Sequence, residues 1–360
     1  MGRRTILRLQ LAYLLALLPS AAWADSAPLP ALGANLNLVS VSGISSGGFM
    51  AAQLATAYSS VFMGVGVIAA GPYFCAGTYP ELNYLGNATT TCMTPAIAAV
   101  AADAGISWAN ARRFAQAGFI DPVSNLARQK VYVFSGSNDT TVKTMVVDAV
   151  PKYYALAHVP AANIVYDKTT KAGHSIVTAK PSDVACPVTA PPYINDCDFT
   201  QSQVLLKHIY GPAVQKPSPS ATQGITRFNQ GEFFSSERAS MDADAYVYIP
   251  AVCQRSACGV HVAFHGCEQG ASVIGDRFYN GTGYNEFADT NKLIILYPQA
   301  HPSSGIPANP KGCWDFWGYS SDDQNNPNFY TRNAPQMKAI AAMIQRLGQP
   351  RSVLASATSQ

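Results

Sequence analysis

The chain has 360 residues, which is enough for one large domain or two smaller ones with a sizeable core. Hydrophobic residues make up 48% and charged residues only 12%, against the ~25% charged residues of a typical globular protein. Three of the 24 Lys and Arg residues and none of the 21 Asp and Glu residues lie within positions 1–24, so the remainder is electrically neutral, which argues against nucleic acid or an anionic membrane as a partner.

The first 24 residues have the pattern of a secretory signal peptide. Three Arg residues surround the start of a largely apolar run at 9–18, and Ala22-Trp23-Ala24 offers the small-x-small site at which signal peptidase cleaves. The alternative is an N-terminal membrane anchor, but the apolar run is shorter than the about 20 residues that a bilayer span needs. We therefore expect cleavage after Ala24 and export to the periplasm or outside the cell.

The elements predicted beyond residue 24 alternate between strands and helices. In chain order they are a strand at 35–42, a helix at 46–58, a strand at 61–70, a helix at 95–117, strands at 130–135 and 163–167, and a helix at 201–210. After a linker-like stretch at 213–223 follow an antiparallel pair at 225–234 and 245–250, strands at 260–264 and 293–297, and a helix at 334–347. This alternation predicts an α/β fold with a mostly parallel sheet. The stretch 213–223 either divides two domains or is a surface loop within one.

Eight cysteines in a chain predicted to be exported indicate four disulfide bonds. Eight cysteines allow 105 pairings, so the sequence does not determine the connectivity. Closure of short loops favours Cys75–Cys92, Cys186–Cys197 and Cys253–Cys258, which leaves Cys267 to pair with Cys313. A zinc site is the alternative, but the chain has no C-x-x-C pair.

The segment Gly43-Ile44-Ser45-Ser46-Gly47 matches the G-x-S-x-G nucleophile elbow. The elbow needs glycines because its strand-to-helix turn is tight, and here a predicted strand precedes the segment and a helix rich in small residues follows it. The alternative is an ordinary Gly/Ser turn. We predict that Ser45 is a catalytic nucleophile, which requires a general base and a residue that orients this base.

In folds with this elbow, the acid and then the histidine follow the nucleophile, each in a loop just after a strand. Asp139 follows the strand at 130–135, and His174 follows the strand at 163–167. We therefore predict the triad Ser45, Asp139 and His174.

Several other histidines and carboxylates compete for these roles. His158 and His208 fall in predicted helical stretches, His261 lies in a strand, and His265 belongs to a separate motif. The remaining alternatives are His301, in a Pro/Ser-rich loop, and the carboxylates of Asp121, Asp148 and Asp167.

Ester cleavage also requires two backbone N–H donors for the oxyanion of the transition state. The residue after the nucleophile, here Ser46, supplies one of them. The other normally lies in a loop upstream of the nucleophile, but this chain has no room for that strand and loop there. Downstream, an apolar strand ends in His265-Gly266-Cys267. We therefore predict Cys267 as the second donor.

The late position of this loop predicts a circularly permuted α/β-hydrolase fold, with residues 25–360 as one catalytic domain. The stretch 213–223 would join the ordinary C-terminus to the ordinary N-terminus. The antiparallel pair would supply the first strands, and the helix at 334–347 would be the one that usually leads into the elbow strand. Such a rearrangement is tolerated because the joined ends lie at the surface.

The order of the motifs resembles the catalytic domain of poly(3-hydroxybutyrate) depolymerases of the permuted, single-domain kind. The motifs are GISSGG at 43–48, SGSND at 135–139, KAGH at 171–174, HGCEQ at 265–269, YPQ at 297–299 and GCWDFWGY at 312–319. The resemblance covers nearly all of the chain after residue 24. It implies a serine esterase that hydrolyses poly(3-hydroxybutyrate) or its oligomers through an acyl-enzyme, with the triad named above and with Ser46 and Cys267 as oxyanion donors.

The resemblance also implies that an aromatic residue of GCWDFWGY lines the cleft, for which we favour Trp317 and then Trp314, with ordinary core packing as the alternative. It implies a polyester or oligoester as the partner and requires no cofactor or metal, and we expect a monomer. Many secreted family members add a linker and a polymer-binding domain. Here only about ten residues follow the last predicted helix, which argues against efficient attack on crystalline polymer. Direct adsorption through exposed aromatic residues, and action on amorphous granules or soluble oligomers, are the alternatives.

Two other functions remain open from the sequence. A carbohydrate esterase of feruloyl or acetyl-xylan type would use the same triad with a different cleft. A polymer-binding protein without catalysis would suit the low charge and the aromatic segments, although binding alone needs neither a triad nor an oxyanion loop.

Overall fold

The computed structural model describes residues 26–351, so the predicted signal peptide lies outside the described residues. The strands are β1 Val39–Ile44, β2 Phe62–Ile68, β3 Lys130–Phe134, β4 Ile164–Asp167, β5 Ile176–Thr178, β6 Val184–Ala185, β7 Ile194–Asp196, β8 Thr226–Asn229, β9 Asp244–Tyr248, β10 Gly259–Phe264 and β11 Leu293–Tyr297. The main sheet has eight strands in the order β4-β3-β2-β1-β10-β11-β9-β8, and a second sheet has the order β5-β7-β6. The first six strands of the main sheet in this order run parallel, and β9 is antiparallel to both of its neighbours.

Helices cover both faces of the main sheet. The helices are α1 Ser46–Ala57, α2 Tyr84–Thr89, α3 Ala104–Gln116, α4 Thr144–Val147, α5 Ala149–Leu156, α6 Gln201–Tyr210, α7 Ala271–Ile274, α8 Arg277–Gly281, α9 Tyr284–Asn291 and α10 Pro335–Gly348. One hydrophobic cluster joins α1, α3, α5 and α10 to one face of the sheet, and a second joins α6, α8 and α9 to the opposite face. None of the helices within residues 26–351 is long and apolar enough to cross a membrane.

The central strands are buried along their whole length, as expected for parallel strands that have helices on both faces. Every residue of β1, β10 and β11 is buried. The two halves of the chain meet where β1 pairs with β10, with Val41 opposite Val262. The elbow strand from the beginning of the chain and the strand of the HGC loop from its second half are therefore neighbours, as the permuted order predicts.

The end of α10 lies beside the segment that leads into β1. The N–H groups of Leu32 and Ala34 donate to the carbonyl oxygen of Leu347 at 3.1 and 2.9 Å. The stretch 213–223 connects α6 to β8. The helix that would precede the elbow strand in an unpermuted chain is thus next to that strand in space, although it comes last in sequence.

The predicted strands and helices of the main sheet are confirmed, and three of them have clearly shifted ends. The strand predicted at 35–42 corresponds to β1, which begins later, at Val39, because residues 36–38 form a turn before it. The helix predicted at 95–117 begins later, as α3, because Asp103 caps it by accepting from the Ile106 N–H at 2.8 Å. The strand predicted at 225–234 ends at Asn229 and is followed by a 3₁₀ turn at Gly231–Phe233. The sequence predicted that His158 lies in a helix, but this residue follows the end of α5 and has a positive φ of 60°.

The three disulfide bonds favoured by short loop closure are confirmed, and so is the fourth, which joins the two remaining cysteines. They join Cys75 to Cys92, Cys186 to Cys197, Cys253 to Cys258 and Cys267 to Cys313, and no cysteine among the described residues is free. The fourth bond links the HGC loop to the GCWDFWGY segment.

Candidate active site

Ser45 occupies the tight turn between β1 and α1. Its φ of 56° and ψ of −126° are strained for a residue with a side chain, as a nucleophile elbow requires. A Cβ atom on Gly43 would lie 2.3 Å from the carbonyl oxygen of Gly47, and one on Gly47 would lie 2.3 Å from that of His265. The two glycines therefore allow α1 to pass close to both β1 and the HGC loop.

The side chains of His174 and Asp139 form a buried pair. His174 Nδ1 lies 2.8 Å from Asp139 Oδ2, and their side chains are 8% and 0% exposed. Asp139 Oδ1 accepts from the N–H groups of Thr141 and Val142 at 2.8 and 2.9 Å. The His174 N–H donates to Thr189 Oγ1 at 2.9 Å. The backbone on both sides thus fixes the pair, and the imidazole has a carboxylate partner at Nδ1.

The HGC loop lies against the elbow. A Cβ atom on Gly266 would lie 3.2 Å from Ser45 Cβ, so the two backbones approach closely. Ser46 begins α1, where an N–H has no partner in its own helix. The N–H groups of Ser46 and Cys267 donate to no protein atom within residues 26–351. Two unoccupied backbone donors therefore flank Ser45, as an oxyanion hole needs.

Two cavities of different character open beside Ser45. The first has a volume of about 290 Å³ and is mostly apolar, with Phe49, Leu85 and Trp317 among its lining residues. The second has a volume of about 190 Å³ and contains His174 and Glu268 in its wall. Ser45 and Cys267 line both cavities. A carbonyl at Ser45 therefore has an almost wholly apolar cavity on one side and, on the other, a cavity whose wall also contains polar and charged side chains.

The two tryptophans proposed for the cleft have different surroundings. Trp317 is partly exposed and lines the apolar cavity. Trp314 has no exposed surface and packs with its ring centroid 4.8 Å from that of Phe264 and 5.4 Å from that of His265. Trp314 is thus a core residue that supports β10 and the HGC loop, which corrects the expectation that it could contact substrate.

The alternative triad residues lie in other surroundings. His301 pairs with Asp242 at 3.3 Å with about half of its side chain exposed. Asp121 binds Arg332 at 3.0 Å, and Asp148 binds Lys168 at 2.8 Å. Asp167 accepts from the loop that follows it. None of these four residues lines either cavity beside Ser45.

A second serine–histidine cluster lies deep in the sheet and is not a catalytic site. His261 lies on β10, where its Nδ1 is 2.7 Å from Ser40 Oγ and its Nε2 is 2.8 Å from Ser42 Oγ. All three residues are fully buried, and burial lowers the pKa of His261 to about 3. At neutral pH the imidazole of His261 is uncharged and has no access to a substrate. It can therefore join β1 to β10 but cannot act on an ester.

His265 and Gln269 support the loop that contains Cys267. The sequence analysis placed them in the HGCEQ motif but predicted no role for either side chain. His265 Nδ1 lies 2.7 Å from the Gly266 carbonyl oxygen, and the Ala300 N–H donates to its Nε2 at 3.1 Å. Burial lowers the pKa of His265 to about 4, so the ring is neutral and braces the loop. Gln269 Oε1 accepts from the Gly266 N–H at 2.7 Å. Their place within HGCEQ was the available signal.

The described part of the chain holds no cluster of three or more His, Cys, Asp or Glu side chains suited to a metal ion. The groups gathered around Ser45 are its own hydroxyl, the imidazole of His174 with the carboxylate of Asp139, and backbone N–H groups. This set is the one used in acyl transfer from esters.

Comparison with known proteins identifies relatives over most of the chain. A poly(3-hydroxybutyrate) depolymerase of Delftia acidovorans is 40% identical over 324 residues, which are 89% of this chain and 61% of that protein. A polyhydroxybutyrate depolymerase of Talaromyces funiculosus is 36% identical and is covered over 97% of its length by 94% of this chain. No family model matches the chain.

Two solved structures share the fold. A PHB depolymerase complexed with an R3HB trimer has a TM-score of 0.77 and 35% identity, covering 89% of this chain and 98% of the other. The PHB depolymerase of Penicillium funiculosum has a TM-score of 0.76 and 34% identity over the same shares. At these identities, and with these shares of each chain, the similarity extends from the sequence to the whole described fold.

Proposed function

The chain belongs to the poly(3-hydroxybutyrate) depolymerase family, and from that premise we propose that it hydrolyses ester bonds of poly(3-hydroxybutyrate) or of its oligomers. The bound R3HB trimer of one solved relative supports an oligoester as the ligand. The mostly apolar cavity beside Ser45 suits the methyl and methylene groups of such a chain. The chain spans only 61% of the length of the Delftia relative, so the activity of that whole protein is proposed, and not shown, for this chain.

The observation that carries the proposal is the buried His174–Asp139 pair, whose histidine lines the same cavity as Ser45. In the proposed mechanism, His174 takes the proton of the Ser45 hydroxyl as its oxygen attacks the ester carbonyl. Asp139 holds the imidazole in the tautomer with a proton on Nδ1 and stabilises the imidazolium that forms. The Ser46 and Cys267 N–H groups donate to the oxyanion.

His174 then protonates the departing alcohol, which leaves an acyl group on Ser45. A water molecule, deprotonated by His174, attacks this acyl-enzyme and releases the acid. Trp317 would form one wall of the apolar side of the cleft. We also propose that the protein is exported, since four disulfide bonds are typical of proteins that fold in an oxidising compartment.

The function is tested by labelling and product analysis. The wild-type protein should react with a fluorophosphonate probe at Ser45 and release 3-hydroxybutyrate or its short oligomers from amorphous polymer. Ser45→Ala should abolish labelling and lower kcat by ~10⁶-fold. Ser107→Ala is a matched control, because this buried hydroxyl on α3 has no hydrogen-bond partner among residues 26–351 and should be dispensable.

The products separate the proposed function from its alternatives. Release of ferulate or acetate from decorated xylan, with no release from the polyester, would assign the site to a carbohydrate esterase. A protein that binds the polymer but does not react with the probe would instead be a binding protein.

A further inference from the structure

Gln269 is a buried amide that connects two loops of the candidate active site. Its side chain is 1% exposed and follows Cys267 by two positions in HGCEQ. Oε1 accepts from the Gly266 N–H at 2.7 Å, and Nε2 donates to the carbonyl oxygens of Pro192 and Tyr193 at 2.9 and 3.0 Å. Both ends of the amide are therefore occupied, and the side chain has a single orientation.

The first contact selects which backbone donor faces Ser45. Gly266 and Cys267 are adjacent, and either N–H could in principle turn toward a carbonyl bound at the elbow. Because Gln269 Oε1 occupies the Gly266 N–H, that donor is unavailable. The Cys267 N–H has no partner within the described residues and is left for the oxyanion.

The second contact reaches the segment that carries the proposed base. The carbonyl oxygen of Tyr193, which accepts from Gln269, also accepts from the Ile176 N–H at 3.0 Å. Ile176 begins β5, two residues after His174. Gln269 is thus one of a short series of hydrogen bonds between the Cys267 loop and the strand that follows His174.

We propose that Gln269 is a positioning residue that holds the oxyanion donor of Cys267 and the base His174 in a fixed geometry relative to Ser45. It acts through the backbone and contacts no reacting atom. The inference rests on the proposed serine esterase mechanism and adds to it a residue on which its geometry depends. A misplacement of about 1 Å in such a site can cost ~10²-fold in rate, so the effect on kcat should be large.

The experiment replaces the amide by a group of the same shape whose bonding depends on pH. In Gln269→Glu, an ionised carboxylate still accepts from Gly266 but cannot donate to Pro192 or Tyr193, and its charge opposes the nearby oxyanion. We expect kcat on p-nitrophenyl butyrate to fall about 10- to 100-fold at about pH 8. Protonation restores a donor, so the ratio of variant to wild-type kcat should recover as the pH is lowered toward about 5.

Gln299 provides a matched control. It is equally buried, its Oε1 accepts from the Ala271 N–H at 2.8 Å, and its Nε2 donates to the carbonyl oxygens of Tyr297 and Pro298. It has no hydrogen bond to Gly266 or to Tyr193. Gln299→Glu should therefore lose stability as Gln269→Glu does. The ratio of its kcat to that of the wild type, however, should be the same at about pH 8 and at about pH 5.

A second variant keeps the test decisive if the glutamate destabilises the fold. Gln269→Met retains the length of the side chain without its hydrogen bonds, and should lose kcat by a similar factor at every pH at which circular dichroism shows it folded. A folded Gln269→Met with wild-type kcat, or a Gln269→Glu ratio that does not change with pH, would overturn the proposal. Failure of the proposed function is distinct, since it would appear in the wild-type protein as no cleavage of the ester and no labelling of Ser45.

Discussion

At the scale of single residues, Asp139 uses its two carboxylate oxygens for different purposes. Oδ1 accepts two N–H groups of its own loop, from Thr141 and Val142. Oδ2 faces His174 Nδ1. The loop bonds hold the carboxylate whether or not the histidine is present, so a change at Oδ2 can alter the chemistry without unfolding the site.

Asp139→Asn should therefore lower kcat strongly and leave stability nearly unchanged. An asparagine oxygen can still bind the loop, but its amide group then presents a donor to Nδ1 and favours the wrong tautomer of His174. We expect a fall in kcat of about 10³- to 10⁴-fold, measured on p-nitrophenyl butyrate beside thermal unfolding. Asp167→Asn is the control, because Asp167 Oδ1 accepts from the Thr169 and Thr170 N–H groups in the same way. Equal losses in both variants would exclude Asp139 as the orienting acid.

The sequence identified the motif that contains the cleft aromatic residue but could not separate Trp317 from Trp314. The two lie in the same segment, and their exposure depends on a turn formed around the buried carboxylate of Asp315. Its Oδ1 accepts from the N–H groups of Trp317 and Gly318 at 3.1 and 2.6 Å. This turn directs one indole to the cavity and the other to the core, and depends on contacts from distant elements such as Gln336.

At the scale of elements, the pairing of β1 with β10 is reinforced by side chains as well as by the backbone. His261 on β10 contacts Ser40 and Ser42 on β1, and Tyr210 and Tyr284 extend these contacts to α6 and α9. The HGC loop that follows β10 contains His265, which is also buried. Both imidazoles are neutral when the protein is folded, so the seam between the strands contains no charge at neutral pH.

The two buried histidines should make the free energy of unfolding decrease in mild acid. Burial lowers the pKa of His261 to about 3 and that of His265 to about 4, whereas both have a pKa of about 6.5 in the unfolded chain. Between these values the unfolded state binds more protons, so the free energy of unfolding declines as the pH falls below about 6.5. The expected loss is roughly 2 to 3 kcal/mol for each histidine at about pH 4.5.

Denaturant unfolding between about pH 7 and 4.5 measures this loss. His261→Gln should be less stable at neutral pH, and its stability should decline less steeply with acid by about one proton, or ~1.4 kcal/mol for each pH unit. The same slope in wild type and His261→Gln would show that the buried imidazole does not titrate on unfolding.

Regular elements of the main sheet were predictable because their patterns are long and local. Every residue of β10 and β11 is apolar apart from one glycine, one histidine and one tyrosine, and α6 has its predicted ends. The second sheet was missed, since its strands have only two or three residues. It depends on contacts that sequence patterns do not reveal. These include the disulfide between Cys186 and Cys197 and the side-chain amide of Asn195, whose Nδ2 lies within hydrogen-bond distance of three backbone carbonyl oxygens.

At the scale of the whole molecule, the strand order shows where the ends of an unpermuted chain would lie. The segment that enters β1 hydrogen-bonds to the end of α10, at Leu347 and Gln349. The connection from α6 to β8 passes through exposed residues around Pro212 and Ala213. Residues 32–34 and 347–349, near the two limits of the described range, are therefore in direct contact, and the connection between the halves is exposed at Pro212 and Ala213.

A rearranged chain should consequently fold and remain active. Joining Arg351 to Ser26 through a flexible Gly/Ser linker and opening the chain between Pro212 and Ala213 restores the usual order of an α/β-hydrolase. We expect kcat within about 5-fold of the wild type, because new ends at exposed loops are tolerated. The control is the same joining with an opening inside α6, between the buried Leu205 and Leu206, which should not fold. Loss of folding in both would contradict the predicted equivalence of the two orders.

The pairing of β1 with β10 should also make folding slow. His261 lies 221 positions after Ser40, so one long edge of the central strand stays uncovered until most of the chain has been synthesised. The first half can assemble β1 to β4, but its hydrophobic edge has no native partner until β10 arrives, and contacts of such high sequence separation form slowly. An unpaired strand edge of this kind readily recruits other chains. Production of this protein should therefore be limited by aggregation of half-made molecules, and lower temperature or slower expression should increase the soluble yield.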